Sequence, residues 1–226
     1  MATTKTKKSV KKEPSKKDIL SSYMEYVLEN GKQPPSVFAF SKSNQMDESQ
    51  FYNHFGSFKS LEKGIYEEFF NIAMALLKKD KSYNNFDSQN KLLSFYYTFF
   101  EILKQNRSYV LKSLEDSGRI NKQIEILEGL RFKFEEYVKE LDIDTLDLKN
   151  KDANTLQKNL LSKAAWTQML ITLKFWLEDD SVNFEKTDVL IEKSVTTSFE
   201  LINLQPIRSV LDLGKFLYKE KFKSQS

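Results

Sequence analysis

The sequence predicts an all-α protein, and three observations lead there. Glycine and proline are scarce, six and four in 226 residues, so turns are few and the elements between them long. Leu, Lys, Glu and Phe recur at intervals of three and four, the period of a helix with one buried face. Aromatic residues make up 13% of the chain, enough apolar bulk to pack cores rather than stay open. A chain of this length forms one large domain or two smaller ones. It has no cysteine, which removes disulfides, thiolate zinc sites and a cysteine nucleophile, and suits a cytoplasmic location. No apolar run reaches the roughly 18 residues of a membrane span, and the first residues lack the apolar core of a signal peptide. No membrane partner is expected.

The net charge of +3 hides an asymmetry. Residues 1–17 carry seven lysines (Lys5, Lys7, Lys8, Lys11, Lys12, Lys16, Lys17) against Glu13 alone, so the rest of the chain is net acidic. A segment so rich in lysine and poor in apolar residues cannot bury enough surface to fold alone, and reads as a disordered tail. It is either a solubilising terminus or an arm that neutralises phosphates.

After the tail, Ile19, Tyr23, Tyr26 and Val27 form one apolar stripe, and Gly31 follows where a left-handed cap suits glycine. Pro34-Pro35 forces an extended link, and Ser36 is placed to cap a short second helix over 37–43. Asn44-Gln45 reads as a turn. Asp47 followed by Gln50 has the spacing of a capping box, which starts a third short helix over 48–54 closed by Gly56-Ser57. A long helix begins near Ser57 and carries Leu61, Ile65, Phe69, Ile72 and Leu76 on one face. Breaks fall near 80–87, at Asp116-Ser117-Gly118, at 142–155 and at 179–183. Leu92, Phe95, Tyr96, Phe99 and Leu103 stripe one later helix; Ile120, Ile124, Leu127, Phe134, Val138 and Leu141 stripe another.

The helix from about 154 to 178 has two apolar stripes. Leu160, Ala164, Ile171 and Phe175 form one; Trp166, Leu170, Leu173 and Leu177 form the other, roughly 120° or more away. A helix apolar on two sides needs two partners, its own core and either a neighbouring helix or a second subunit. The helix 184–203, with Ile191, Val195, Phe199 and Ile202, is a natural companion, and two such pairs could meet as a four-helix contact. A deeper core within one chain is the other solution.

Three short helices joined by tight turns, then a long one, is the layout of a helix-turn-helix module on a connecting helix. Here the residues resemble the TetR-type bacterial transcriptional regulators. The resemblance is carried by Gly31, by Ser36-Val37, and by Phe51-Tyr52-Asn53-His54-Phe55-Gly56-Ser57 followed by Leu61, with no insertions between them. It covers about residues 18–70. The stretch FWLEDDSVNFEKTDVLIEKSV, residues 175–195, also looks like the dimer-forming end of some members.

The resemblance implies three regions: the tail 1–17, a helix-turn-helix DNA-binding domain 18–64, and a helical ligand-binding and dimerisation domain 65–226. It implies that Phe51 and Phe55 are buried and that Tyr52 and His54 face phosphate. Gln50 and Asn53 would lie near the major groove, Ser36 and Val37 would open a helix whose free N–H groups suit phosphate, and Lys59 would add a cation. It further implies a homodimer on a palindromic double-stranded operator, through Trp166, Leu170, Leu173, Leu177, Ile191, Val195 and Phe199. An unidentified small-molecule effector would sit among Tyr96, Phe99, Phe132, Trp166, Gln168 and Thr172, and release a repressor by moving the long helix as a lever.

The chain departs from the family pattern at three points. Gln45 stands where the turn commonly has glycine, Glu48 where the reading helix often has a basic residue, and Phe58 where lysine usually follows Gly-Ser, leaving Lys59 one position later. Residues 18–64 hold four lysines and six acids, so the module attracts phosphate weakly by itself and the lysine tail becomes the natural arm beside each half-site. An interaction protein that keeps the fold without specific DNA binding is the alternative. Enzyme chemistry is disfavoured, because one histidine and no cysteine leave no nucleophilic triad. The acidic stretch 141–154 lacks the glycine and terminal glutamate of a calcium loop, so neither metal nor cofactor is expected.

Overall fold

A computed structural model of the chain describes residues 13–115, 120–141, 143, 151–203, 213–214 and 216. The first twelve residues of the lysine tail, the Asp116-Ser117-Gly118 break and most of the acidic stretch 141–154 lie outside the described residues. Within them every regular element is helical: α1 (Lys16–Asn30), α2 (Val37–Ser43), α3 (Glu48–Tyr52), α4 (Phe58–Lys79), α5 (Ser88–Gln105), α6 (Arg107–Glu115), α7 (Ile120–Ile126), α8 (Glu128–Glu140), α9 (Lys151–Glu178) and α10 (Glu185–Asn203). The chain forms two compact units. The first joins Met1–Ile65 to Ser108–Ile126; the second joins Tyr66–Arg107 to Leu127–Ser226. The sequence places a boundary at 64/65 but does not disclose that α6 and α7 belong with the N-terminal helices.

In the first unit, α1 starts at Lys16, inside the span the sequence assigns to the tail. Ser15 is the reason: its backbone N–H donates to Asp18 Oδ2 at 2.8 Å, and the Asp18 N–H donates to Ser15 Oγ at 3.2 Å. This reciprocal box satisfies two otherwise orphaned donors. The helix ends as expected at Gly31, left-handed at φ 68, whose N–H donates to Val27 O. Ser36 Oγ accepts from the Ala39 N–H at 3.1 Å and starts α2. The turn after α2 puts Gln45 at φ 55, the left-handed region that glycine would enter without penalty. Gln50 Oε1 accepts from the Asp47 N–H at 2.9 Å and starts α3, which ends at Tyr52, two residues earlier than expected.

Four rings hold these helices together. Tyr23, Phe40, Phe51 and Phe58 are buried, with centroids 5.4–6.1 Å apart in mostly edge-to-face contacts. Edge-to-face geometry adds attraction beyond the area buried. Tyr23 also donates its hydroxyl to Glu62 at 2.8 Å, and burial followed by that carboxylate pushes the phenol well above its ordinary range. Gly64 lies mid-helix because a Cβ there would come 2.9 Å from the Phe55 ring. Along α4 the buried stripe slips by one residue: Ala73 and Leu77 are buried, whereas Ile72 is half-buried and Leu76 exposed.

The second unit is also built on stacked rings. Phe95 and Phe99 of α5 stack at 5.5 Å, Phe95 meets Phe134 of α8 at 5.4 Å, and Phe134 meets Trp166 of α9 at 6.3 Å. The expected α5 stripe, Leu92 through Leu103, is buried throughout. Two further helix ends fall at Asn106 and Leu127. Asn106 closes α5 by donating Nδ2 to Ile102 O at 2.9 Å, and the single stripe expected from Ile120 to Leu141 is divided at Leu127, with Ile124 exposed.

One corner of this unit is tied unusually well. The Arg107 guanidinium lies 4.5 Å from the ring centroids of both Trp176 and Phe184, and donates to Trp176 O and Leu177 O at the end of α9. Carbonyls at a helix end have no partner within the helix; Trp176 O also accepts from the Asp179 N–H at 3.3 Å. Asp179 accepts from Ser181 and Thr187, each through backbone and side chain, at 2.6–3.0 Å. Burial alone would raise this carboxyl; the four donors outweigh it and hold it at about 2.

Candidate nucleic-acid interface

Burial of Phe51 and Phe55 decides what α3 shows to solvent. With both rings inside, the helical period turns Tyr52, Asn53 and His54 outward: Tyr52 is 53% exposed and the other two are also exposed. Ser36, which starts α2, is exposed, and Val37 beside it is half-buried. These side chains all belong to the first unit. Gln50 is half-buried, and its amide oxygen is taken by the Asp47 N–H, which leaves its NH2 as the group able to address a partner. One residue went unnoticed in the sequence. Phe38, on the first turn of α2, is an apolar side chain left 61% exposed.

Two carboxylates already occupy groups on this surface. Asn53 Nδ2 donates to Glu13 Oε1 at 3.3 Å, so the residue leading into α1 lies across the end of α3. Lys16 follows it, with its ammonium 5.6 Å from the centroid of the Phe55 ring. Phe58 fills the unit's aromatic core, and Lys59, one position on, is rotated about 100° around α4. There its Nζ lies 2.5 Å from Glu125 Oε1 of α7, and Lys63 Nζ approaches the same oxygen at 3.9 Å. Lys59 is therefore ion-paired rather than presented alone. Asp47 and Glu48 are exposed at the start of α3, where acids offset the helix dipole but oppose phosphate.

The residues expected around an effector divide. Tyr96, Phe99 and Trp166 are buried. The Tyr96 ring stacks on Phe100 and meets Phe134 edge-on, and its buried hydroxyl has no hydrogen-bond partner among the described residues. Thr172 is buried and donates to Gln168 O at 2.9 Å. Gln168 is committed at both ends, donating to Ser194 Oγ at 3.0 Å and accepting from Ser198 Oγ at 3.2 Å. Phe132 does not belong with them. It is 69% exposed, because the inward positions of α8 are Leu130, Phe134, Tyr137 and Val138.

The expected dimer residues also need correction. Trp166, Leu173, Ile191 and Val195 are buried inside the chain, while Leu170, Leu177 and Phe199 are half-buried. The two stripes of α9 are assigned the reverse way. Met169 and Trp176 complete the inward side with Trp166 and Leu173, and the other stripe is open: Leu160, Ala164, Ile171 and Phe175 are all exposed. Large rings on one side of the helix claim the core, a preference that periodicity alone does not register. Among the described residues no group of three His, Asp or Glu side chains is placed to hold a metal, and no helix is long and apolar enough to cross a membrane.

Residues 91–217, more than half the chain, match the model of the tetracyclin repressor-like C-terminal domain. The chain belongs to this TetR family. Among solved structures, a transcriptional regulator (TerR/AcrR family) from Aquifex aeolicus VF5 aligns over 80% of this chain and 98% of its own, at 17% identity and a TM-score of 0.46. No curated protein matches the chain.

Proposed function

We propose that the chain is a DNA-binding transcriptional regulator, a repressor that binds a palindromic operator as a homodimer and leaves it when a small molecule binds the second unit. The observation that carries this reading is the pair Phe51 and Phe55, buried so that Tyr52, Asn53 and His54 stand outward, with Ser36 at the start of α2 also exposed. Hydroxyl, amide and imidazole groups can donate to phosphate oxygens or pair with base edges. For the effector, Tyr96 offers a buried hydroxyl among aromatic rings, suited to a planar or lipid-like molecule with one acceptor. Differential affinity for two arrangements of α4 would complete the switch.

The dimer is proposed through the open stripe of α9. Ile171→Glu should give a monomer by light scattering with its helical content intact. Leu173→Glu, on the inward side, should unfold the second unit instead. A dimer that survives Ile171→Glu would move the interface elsewhere.

The competing reading is an interaction protein without specific DNA binding, favoured by Glu48 on α3 and by the two carboxylates on Asn53 and Lys59. A mobility-shift titration on the DNA upstream of the chain's own coding sequence, at several salt concentrations, separates the two. Saturable binding to one palindrome with a steep salt slope is the expected result; adsorption that varies only with the lysine tail would favour the interaction protein.

A further inference from the structure

We propose that Glu125 competes with DNA for Lys59, so that α7 controls the electrostatic reach of the helix-turn-helix unit. The inference rests on the DNA-binding reading above and deepens it. Residues 18–64 have only four lysines against six acids, and two of the four, Lys59 and Lys63, approach the single oxygen Glu125 Oε1, at 2.5 and 3.9 Å. A carboxylate and a phosphate offer an ammonium the same kind of acceptor, so the two anions exclude each other at Lys59. The pair is exposed, 62% on the lysine side and 39% on the glutamate, and ion pairs of that kind are weak and screened by salt. While Glu125 keeps its charge, it holds the Lys59 ammonium back from the dense row of phosphates of a duplex.

The placement of Glu125 adds a means of control. It is one residue from the end of α7, and the chain passes into the second unit between Ile126 and Leu127. A rearrangement at the start of α8 would therefore shift the competing carboxylate through the backbone itself. Lys59 freed from Glu125 would add one phosphate contact.

The test uses the full chain and a fluorescein-labelled mixed-sequence duplex, with affinity followed by anisotropy across a salt series. Glu125→Gln, which keeps the shape and removes the charge, should tighten binding about 5–10-fold at 0.1 M salt and steepen the salt slope by about 0.9. Glu125→Ala should do the same if residual bonding from glutamine is a concern. Adding Lys59→Ala to Glu125→Gln should return the slope to that of Lys59→Ala alone. Binding by the wild-type chain with a slope unmoved by either Glu125 variant would overturn the competition and leave the regulator standing. No binding by wild type and variants alike would overturn the competition, and the palindrome titration above then decides the DNA-binding reading.

Discussion

Phe51→Ala should destabilise the helix-turn-helix unit by about 3–5 kcal/mol and lower its melting temperature measurably in a circular-dichroism scan. The ring is fully buried and touches Phe40, Tyr52, Phe55 and Phe58 at centroid distances of 5.5–6.1 Å, so its removal leaves a cavity lined by rigid rings that cannot collapse into it. The neighbouring change Tyr52→Phe is the contrast. That side chain is more than half exposed, and removing its hydroxyl should leave stability within about 0.5 kcal/mol of wild type. A loss of under about 1 kcal/mol for Phe51→Ala would mean that α3 is not anchored by this ring, and the outward disposition of Tyr52, Asn53 and His54 would lose its cause.

Deleting residues 2–12 should weaken DNA binding on the order of 100-fold or more at low salt, and flatten the salt dependence. The deletion removes Lys5, Lys7, Lys8, Lys11 and Lys12, each able to release about 0.9 of a counterion when it meets a phosphate. It should stop at residue 12. Ser15 and Asp18 cap α1, and losing them would confuse a folding defect with a binding one. Glu13 and Lys16 lie against Asn53 and Phe55, so the described chain begins beside α3, where under the proposed reading a basic arm would reach the backbone next to each half-site. Affinity and slope unchanged by the deletion, read by anisotropy against the same duplex, would remove the arm from the mechanism.

The local features of the first unit were legible because their causes lie within a few residues. Gly31, Ser36 and the Asp47–Gln50 spacing announce helix ends through groups three or four positions apart. Gln45, standing where the turn commonly has glycine, takes φ 55. Phe51 and Phe55 follow from one helical period. The Ser15–Asp18 box has the same local logic but is hidden inside a lysine run. What could not be read depends on partners distant in sequence. Nothing near Lys59 points to Glu125, sixty-six positions later. Nothing near Asn53 points to Glu13. The α9 stripes were both visible, yet the choice of inward side is made by the helices that pack on it. The break at Asn106 lacks glycine and proline because a side-chain amide ends that helix instead.

The first unit is assembled from two stretches of chain, Met1–Ile65 and Ser108–Ile126, and the polypeptide crosses between units at three places. It is therefore not a detachable head. Cutting after residue 65 would strip away Tyr109, Val110, Leu114 and Ile126, all buried, together with the partner of Lys59. An engineer wishing to transplant this unit onto a relative's body would have to carry both stretches across and match three seams instead of one. By the same token, recombination within such a gene would tend to be tolerated only where donor and recipient already agree at α6 and α7.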